Sequence, residues 1–146
     1  MQVDFYQLGS APVEQVIASI AQKLVGSGQR VLVVAGDDGF LARLDRMLWD
    51  QGRTNFLPHG IAGGGDDARQ PVLLANMPDA PNLARNIIIA DGEWREAALS
   101  YDRAFYLFGA PSLEGARLAW KLLAGREGVE RRYWAQGEDG RWTEKG

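Results

Sequence analysis

The stretch "RVLVVAGDDGFLARLDRMLW", Arg30 to Trp49, decides the fold. Its first half is a short, unbroken, β-branched run ending at Gly36, the pattern of a strand buried on both faces of a parallel sheet. Its second half changes period. After Asp37 or Asp38 as helix cap, Phe40, Leu41, Leu44, Met47 and Leu48 recur at helical spacing on one core-facing side, and Gly52 closes the helix. Trp49 falls off that stripe. Its indole is either part of an exposed aromatic patch with Phe56 or covered by the loop that follows.

The same alternation runs outward in both directions. Upstream, Val3–Leu8 reads as a first strand. A helix capped by Ser10 follows, with Val13, Val16, Ile17, Ile20 and Leu24 on one face, ended by Gly26 and Gly28. Downstream, after a loop around His59, come "PVLLA" (Pro71–Ala75), "NIIIAD" (Asn86–Asp91) and "RAFYLF" (Arg103–Phe108), three more strand-length apolar runs. "GEWREAALSY" is a short helix candidate, and Pro111 and Ser112 open a helix to about Ala124. The end, "RRYWAQGEDGRWTEK", predicts a strand, a Gly-Glu-Asp-Gly turn and a short return strand. "GIAGGGDDARQ" and "NMPDAPN" are the places expected to flex. The prediction is an α/β fold: one doubly wound, mostly parallel sheet with flanking helices, in a single domain over 1–146.

Composition narrows the function classes. The 146 residues are 46% hydrophobic and 24% charged, with a formal net charge of −3 and no cysteine. Thiolate metal sites and a cysteine nucleophile are thereby excluded. The N-terminus lacks the basic and apolar regions of a signal peptide, and no apolar run reaches the roughly 20 residues that span a bilayer. A cytoplasmic, non-membrane protein is expected. Cations concentrate after residue 116, but acidic residues sit among them, so tight direct binding of nucleic acid is not expected.

A doubly wound sheet invites a nucleotide reading, and the motifs refuse it. The first turn is "LGSAPVEQ", not a Gly-x-Gly-x-x-Gly loop. The turn after the second strand is "AGDDGF", whose aspartates occupy the positive end of the helix dipole, where a phosphate would sit. Gly60, Gly63, Gly64 and Gly65 have neither a lysine nor a following helix. His59, the chain's one histidine, has no second histidine or cysteine to complete a zinc site, and it serves better to satisfy loop backbone groups than as a base. Asp37/Asp38 and Asp66/Asp67 are adjacent pairs whose side chains diverge. No catalytic constellation, cofactor site or metal site can be named. The rival reading kept open is a small α/β enzyme acting on a phosphate- or nucleotide-containing substrate.

The helix after Pro111 carries another pattern. Gly115, Leu118, Ala119, Leu122 and Leu123 form its expected buried face, and Leu113, Arg117, Trp120, Lys121 and Ala124 line the other side. From the residues alone this outer stripe is equally a receptor for an acidic peptide bearing an aromatic ring, or a solvated face whose cationic stems cover Trp120.

In "FYQL", the Arg30–Trp49 stretch, "NFLPHGIAGGG", "PVLLA" and "ARLAWK", the chain resembles the chi-subunit family of bacterial DNA polymerase III holoenzyme, accessories of the clamp loader. The resemblance implies a nucleotide-fold-like α/β domain without a nucleotide site, and an adaptor rather than an enzyme. It implies that Arg117, Trp120 and Lys121 bind the acidic C-terminal tail of single-stranded-DNA-binding protein. It also implies that Trp49 and Phe56 meet the psi subunit or an equivalent clamp-loader protein, a surface that in the family also engages an accessory helicase. Two departures stand out: the family more usually has tyrosine where Trp120 stands, and Gly125–Gly146 does not align cleanly with the family.

Overall fold

The computed structural model describes residues 1–50 and 57–145. Its elements in chain order are β1 (Gln2–Gln7), α1 (Val13–Gly26), β2 (Val31–Val34), α2 (Asp38–Asp50), β3 (His59–Ile61), β4 (Val72–Ala75), β5 (Asn86–Ile89), β6 (Arg103–Phe108), α3 (Leu113–Ala124), β7 (Glu130–Gln136) and β8 (Trp142–Glu144). Among the described residues, three short 3-10 helices, at Asp67–Arg69, Glu96–Ser100 and Ala110–Ser112, punctuate the connections. The strands form one sheet in the order β3-β4-β2-β5-β6-β1-β7-β8, parallel throughout except for β8, which runs antiparallel to β7.

Strand composition follows from this placement. Every residue of β2, β4 and β5 is buried, because α1 and α2 cover one face and the connections around Ala84, Ala98 and Tyr101 help to cover the other. Val31 and Val33 join Leu74 and Ile88 on the face that carries α1 and α2, while Leu32 and Val34 join Leu73 and Ile87 on the opposite face, which carries Ala84, Ala98 and Tyr101 and, toward β7, α3. The two-residue side-chain period therefore divides one apolar run between two cores. On the α3 side the filling is aromatic: Phe5, Tyr106 and Phe108 pack as neighbours, with ring centroids 5.3–6.4 Å apart.

Helix boundaries depart from expectation at a few points. Ser10 is not the cap of α1. Pro12 holds that position, extended at ψ 145°, with no side-chain cap bond. In α2 the cap is Asp37, whose Oδ1 accepts the Gly39 N–H at 2.9 Å. Leu41, Leu44 and Leu48 are buried as the periodicity predicts, with Phe40 and Met47 packed partly against them. The expected closing residue Gly52 lies outside the described residues. His59 lies in edge strand β3 rather than in a loop, because its backbone pairs in register with Val72. The "GEWREAALSY" candidate is only one 3-10 turn, Glu96–Ser100. The expected terminal hairpin forms, its turn closed by Gly140 at φ 79°, a left-handed conformation that suits glycine.

The largest correction concerns α3. Its buried residues are Ala116, Ala119 and Leu123, while Leu118 and Leu122 are 62% and 66% exposed. The helix is rotated so that Trp120 packs partly into the core, its ring 5.1 Å from Phe5 and 5.6 Å from Tyr133, both edge-on. One indole meeting an aromatic sheet outweighs two leucines in setting the phase.

Candidate functional site

In open α/β sheets ligands bind beyond the carboxyl ends of the strands, where the strand order reverses. Here that crevice lies between β2 and β5: the chain leaves β2 for β3 and β4 on one side, then returns to β5 on the other. It is already occupied by Asp91, the second residue after β5. Asp91 Oδ2 accepts the Gly36 N–H at 2.9 Å and Arg95 Nη2 at 2.9 Å, and Oδ1 accepts Arg95 Nη1 at 2.8 Å and the Glu93 N–H at 3.2 Å. Partial burial works against the charge, but the Arg95 bonds, the two backbone donors and the Arg95 charge outweigh it and hold the carboxyl below the usual carboxylate range. The donors that a phosphate would use are thus engaged by an internal anion. The next residue, Gly92, has no room for a side chain, since a Cβ there would lie 2.3 Å from Ser112 Oγ.

His59 is buried. Its Nδ1 lies 2.7 Å from the Leu57 carbonyl, and its Nε2 lies 3.1 Å from the Asp45 carboxylate and 3.2 Å from the Asp45 carbonyl. The ring fastens the middle of α2 to β3, as the backbone-satisfying reading expects. Among the described residues, no group of three or more His, Asp or Glu side chains gathers to hold a metal ion, and no helix is long and apolar enough to cross a membrane.

The predicted site residues fall into two places. Trp49, in the last turn of α2, is 52% exposed, and its ring lies 4.7 Å from that of His59. Phe56, expected beside it, lies outside the described residues. At the other end of the sheet, Arg117, Trp120 and Lys121 of α3 come together with Tyr133 of β7 and Lys145 just beyond β8, lining an open cleft of about 320 Å³. Trp120 does not stand outward. Its ring forms part of the wall between cleft and core, and the Arg131 guanidinium lies 3.8 Å from the ring centroid while donating to the Trp120 carbonyl. Arg131, rather than the stems of Arg117 and Lys121, makes this cation–π contact.

Tyr133 and Lys145 were not singled out by sequence reasoning. The Tyr133 hydroxyl donates to Gln7 Oε1 at 2.6 Å, and burial, partly offset by Arg117, pushes its pKa up. The Lys145 N–H donates to the Tyr133 carbonyl at 2.7 Å, so hairpin pairing places the lysine next to the tyrosine. Among the described residues, no carboxylate pairs with Arg117, Lys121 or Lys145, although six arginine–carboxylate ion pairs form elsewhere. Three uncompensated cations around two aromatic rings can attract carboxylates and accept a ring beside them.

The architecture is that of a nucleotide-fold-like α/β domain whose crevice is closed by its own carboxylate and whose cationic cleft lies elsewhere. The chain belongs to the family described as "DNA polymerase III chi subunit, HolC", whose profile matches residues 1–130. Among curated relatives it is similar to DNA polymerase III subunit chi of Escherichia coli, 35% identical over 82 residues, covering 56% of each chain. It is also similar to DNA polymerase III subunit chi of Pseudomonas aeruginosa, 32% identical over 91 residues, covering 60% of this chain and 62% of that one. The matches thus span a little over half the length of these relatives. Among solved structures, the second domain of a DEAD-box helicase, determined on an RNA duplex, matches with a TM-score of 0.56 at 11% identity, over 94% of this chain and 65% of that one. That likeness is one of fold.

Proposed function

We propose that the chain is a non-catalytic accessory of the DNA polymerase III holoenzyme, an adaptor within the clamp-loader assembly. It grips the acidic C-terminal tail of single-stranded-DNA-binding protein with Arg117, Trp120 and Lys121. The side marked by Trp49 and Phe56 meets psi or an equivalent clamp-loader protein, or an accessory helicase in its place. The observation that carries the first contact is the cleft itself: cations on α3 with no carboxylate partner among the described residues, beside a wall of Trp120 and Tyr133. A peptide of several aspartates ending in phenylalanine brings side-chain carboxylates, a terminal carboxylate and one ring. Arg117 and Lys121 are about one helical turn apart and reach neighbouring carboxylates. Membership of a polymerase-subunit family and a self-occupied nucleotide crevice favour this over an enzyme of phosphate-containing substrates.

The test is fluorescence anisotropy of a labelled peptide of that composition. Wild type should bind it, more weakly as salt rises, because the attraction is between exposed charges. Arg117→Glu should lower the affinity by at least about tenfold, the loss usual for a hot-spot charge. Equal affinity for both proteins would place the tail elsewhere and remove the basis of the proposal.

A further inference from the structure

The cleft has two walls, and only one of them lies within the family match. Arg117, Trp120 and Lys121 stand on α3, inside residues 1–130, whereas Tyr133 and Lys145 belong to the β7–β8 hairpin beyond it. The hairpin wall is built rather than incidental. β7 is held in parallel register by β1, with Tyr133 opposite Phe5. Gln7 of β1 fixes the Tyr133 hydroxyl, and the Tyr133 carbonyl fixes the backbone of Lys145. Lys145 is exposed and has no carboxylate partner among the described residues, although Glu144 precedes it.

We propose that the terminal hairpin is a specificity element of this cleft, and that Lys145 makes it a reader of consecutive acidic residues in an extended peptide. The proposal rests on the peptide-binding reading above and deepens it. Successive side chains of an extended chain point to opposite sides. Two adjacent aspartates therefore send one carboxylate toward Arg117 and Lys121 and the other toward Lys145. A single aspartate, or a helical peptide that presents one face, engages only the α3 wall. The ring at the peptide's end packs against Trp120 and Tyr133, between the walls.

Two labelled peptides of equal length, both ending in phenylalanine, test this on the full chain. One carries a pair of adjacent aspartates; in the other the second aspartate is asparagine. Wild type should prefer the paired-aspartate peptide by about two- to fivefold, the upper part of the range for one exposed charge pair. Lys145→Glu should weaken that peptide by about tenfold and erase the preference, and Lys145→Arg should restore it. Arg141→Glu makes the same change of charge on the same hairpin outside the cleft lining and should leave the preference intact. Arg117→Glu should weaken both peptides. If Lys145→Glu keeps wild-type preference while Arg117→Glu has lost binding, the hairpin is no part of the reader and the proposal falls alone. An equal effect of Arg141→Glu and Lys145→Glu would also overturn it, by showing a general field effect. If neither peptide binds wild type, or Arg117→Glu changes nothing, the peptide-binding reading falls and takes this one with it.

Discussion

Replacing Asp91 with asparagine keeps the side chain's shape and removes its charge, so it isolates what the carboxylate does in the β2–β5 crevice. Each carboxylate oxygen receives two donors: Oδ1 from Arg95 Nη1 and the Glu93 N–H, Oδ2 from Arg95 Nη2 and the Gly36 N–H. An asparagine amide has one oxygen and one NH2 group. Whichever way it is turned, the NH2 faces two donors, and the guanidinium keeps one neutral acceptor in place of a charged fork. Asp91 and Arg95 have side chains only 21% and 19% exposed, so water compensates little. One lost charge-assisted bond and one unsatisfied donor pair together cost about 2–3 kcal/mol. For a chain of 146 residues, each kcal/mol corresponds to about 3 °C, so Tm should fall by about 6–9 °C at pH 7.

The pH dependence supplies a second check on the same substitution. The folded-state pKa of Asp91 is lowered. The stabilisation it provides is therefore complete above the unfolded-state value of about 3.9 and fades as pH falls through the lower folded-state value. Thermal melts of wild type and Asp91→Asn should accordingly differ most at neutral pH and converge in acid, once pH has fallen through the lowered folded-state value. Melts that coincide at pH 7, or that stay equally separated in strong acid, would refute the account of the crevice as an internal anion site.

Other consequences are open to the same instruments. Trp49→Ala should retain Tm within a few degrees, because half of the residue is exposed, while pull-down of the proposed clamp-loader or helicase partner should fail; a large fall in Tm with the partner retained would make the indole structural. Leu118→Ala and Leu122→Ala should each change stability by less than about 0.5 kcal/mol, whereas Trp120→Ala, which removes contacts with Phe5, Tyr133 and Arg131, should cost about 2–4 kcal/mol in urea unfolding. The Tyr106 hydroxyl, donating to the Gly92 carbonyl, has its pKa pushed up to about 12 by burial and by Asp91 and Glu93. Stability should therefore hold below the unfolded-state value of about 10 and decline as pH rises toward 12, less steeply in Tyr106→Phe.

The parallel sheet was legible because its central strands are unbroken apolar runs of strand length, and Leu41, Leu44 and Leu48 carry a clear helical period. Such signals are local and depend only on what surrounds each element. The phase of α3 was misread because a wheel counts apolar residues equally, whereas its docking surface is aromatic and selects Trp120 over Leu118 and Leu122. Half of the candidate cleft was readable as the cationic stripe on one helix. The other half depends on the pairing of β7 with β1, across a sequence separation of 128 residues between Phe5 and Tyr133, which no local pattern encodes. The role of Asp91 was hidden for the same reason, since Gly36 meets it only after the sheet forms. A trace was present in "NIIIADGEWRE", where an aspartate just past a buried strand has an arginine four residues on.

The position of β1 has a consequence for how the protein is made. It is translated before every other strand, yet it sits between β6 and β7, two of the last three. At about 5–20 residues per second, the ribosome needs at least about 5 s after β1 to supply β6, and longer for β7. Until then, β2, β4 and β5 can assemble while a strand that carries Val3 and Phe5, with two open hydrogen-bonding edges, waits beside them. The growing sheet is thus most exposed to mispairing at the earliest-made of its strands. The cationic cleft, whose hairpin wall is fastened to that segment through Gln7 and Tyr133, can exist only once β1 has met β7.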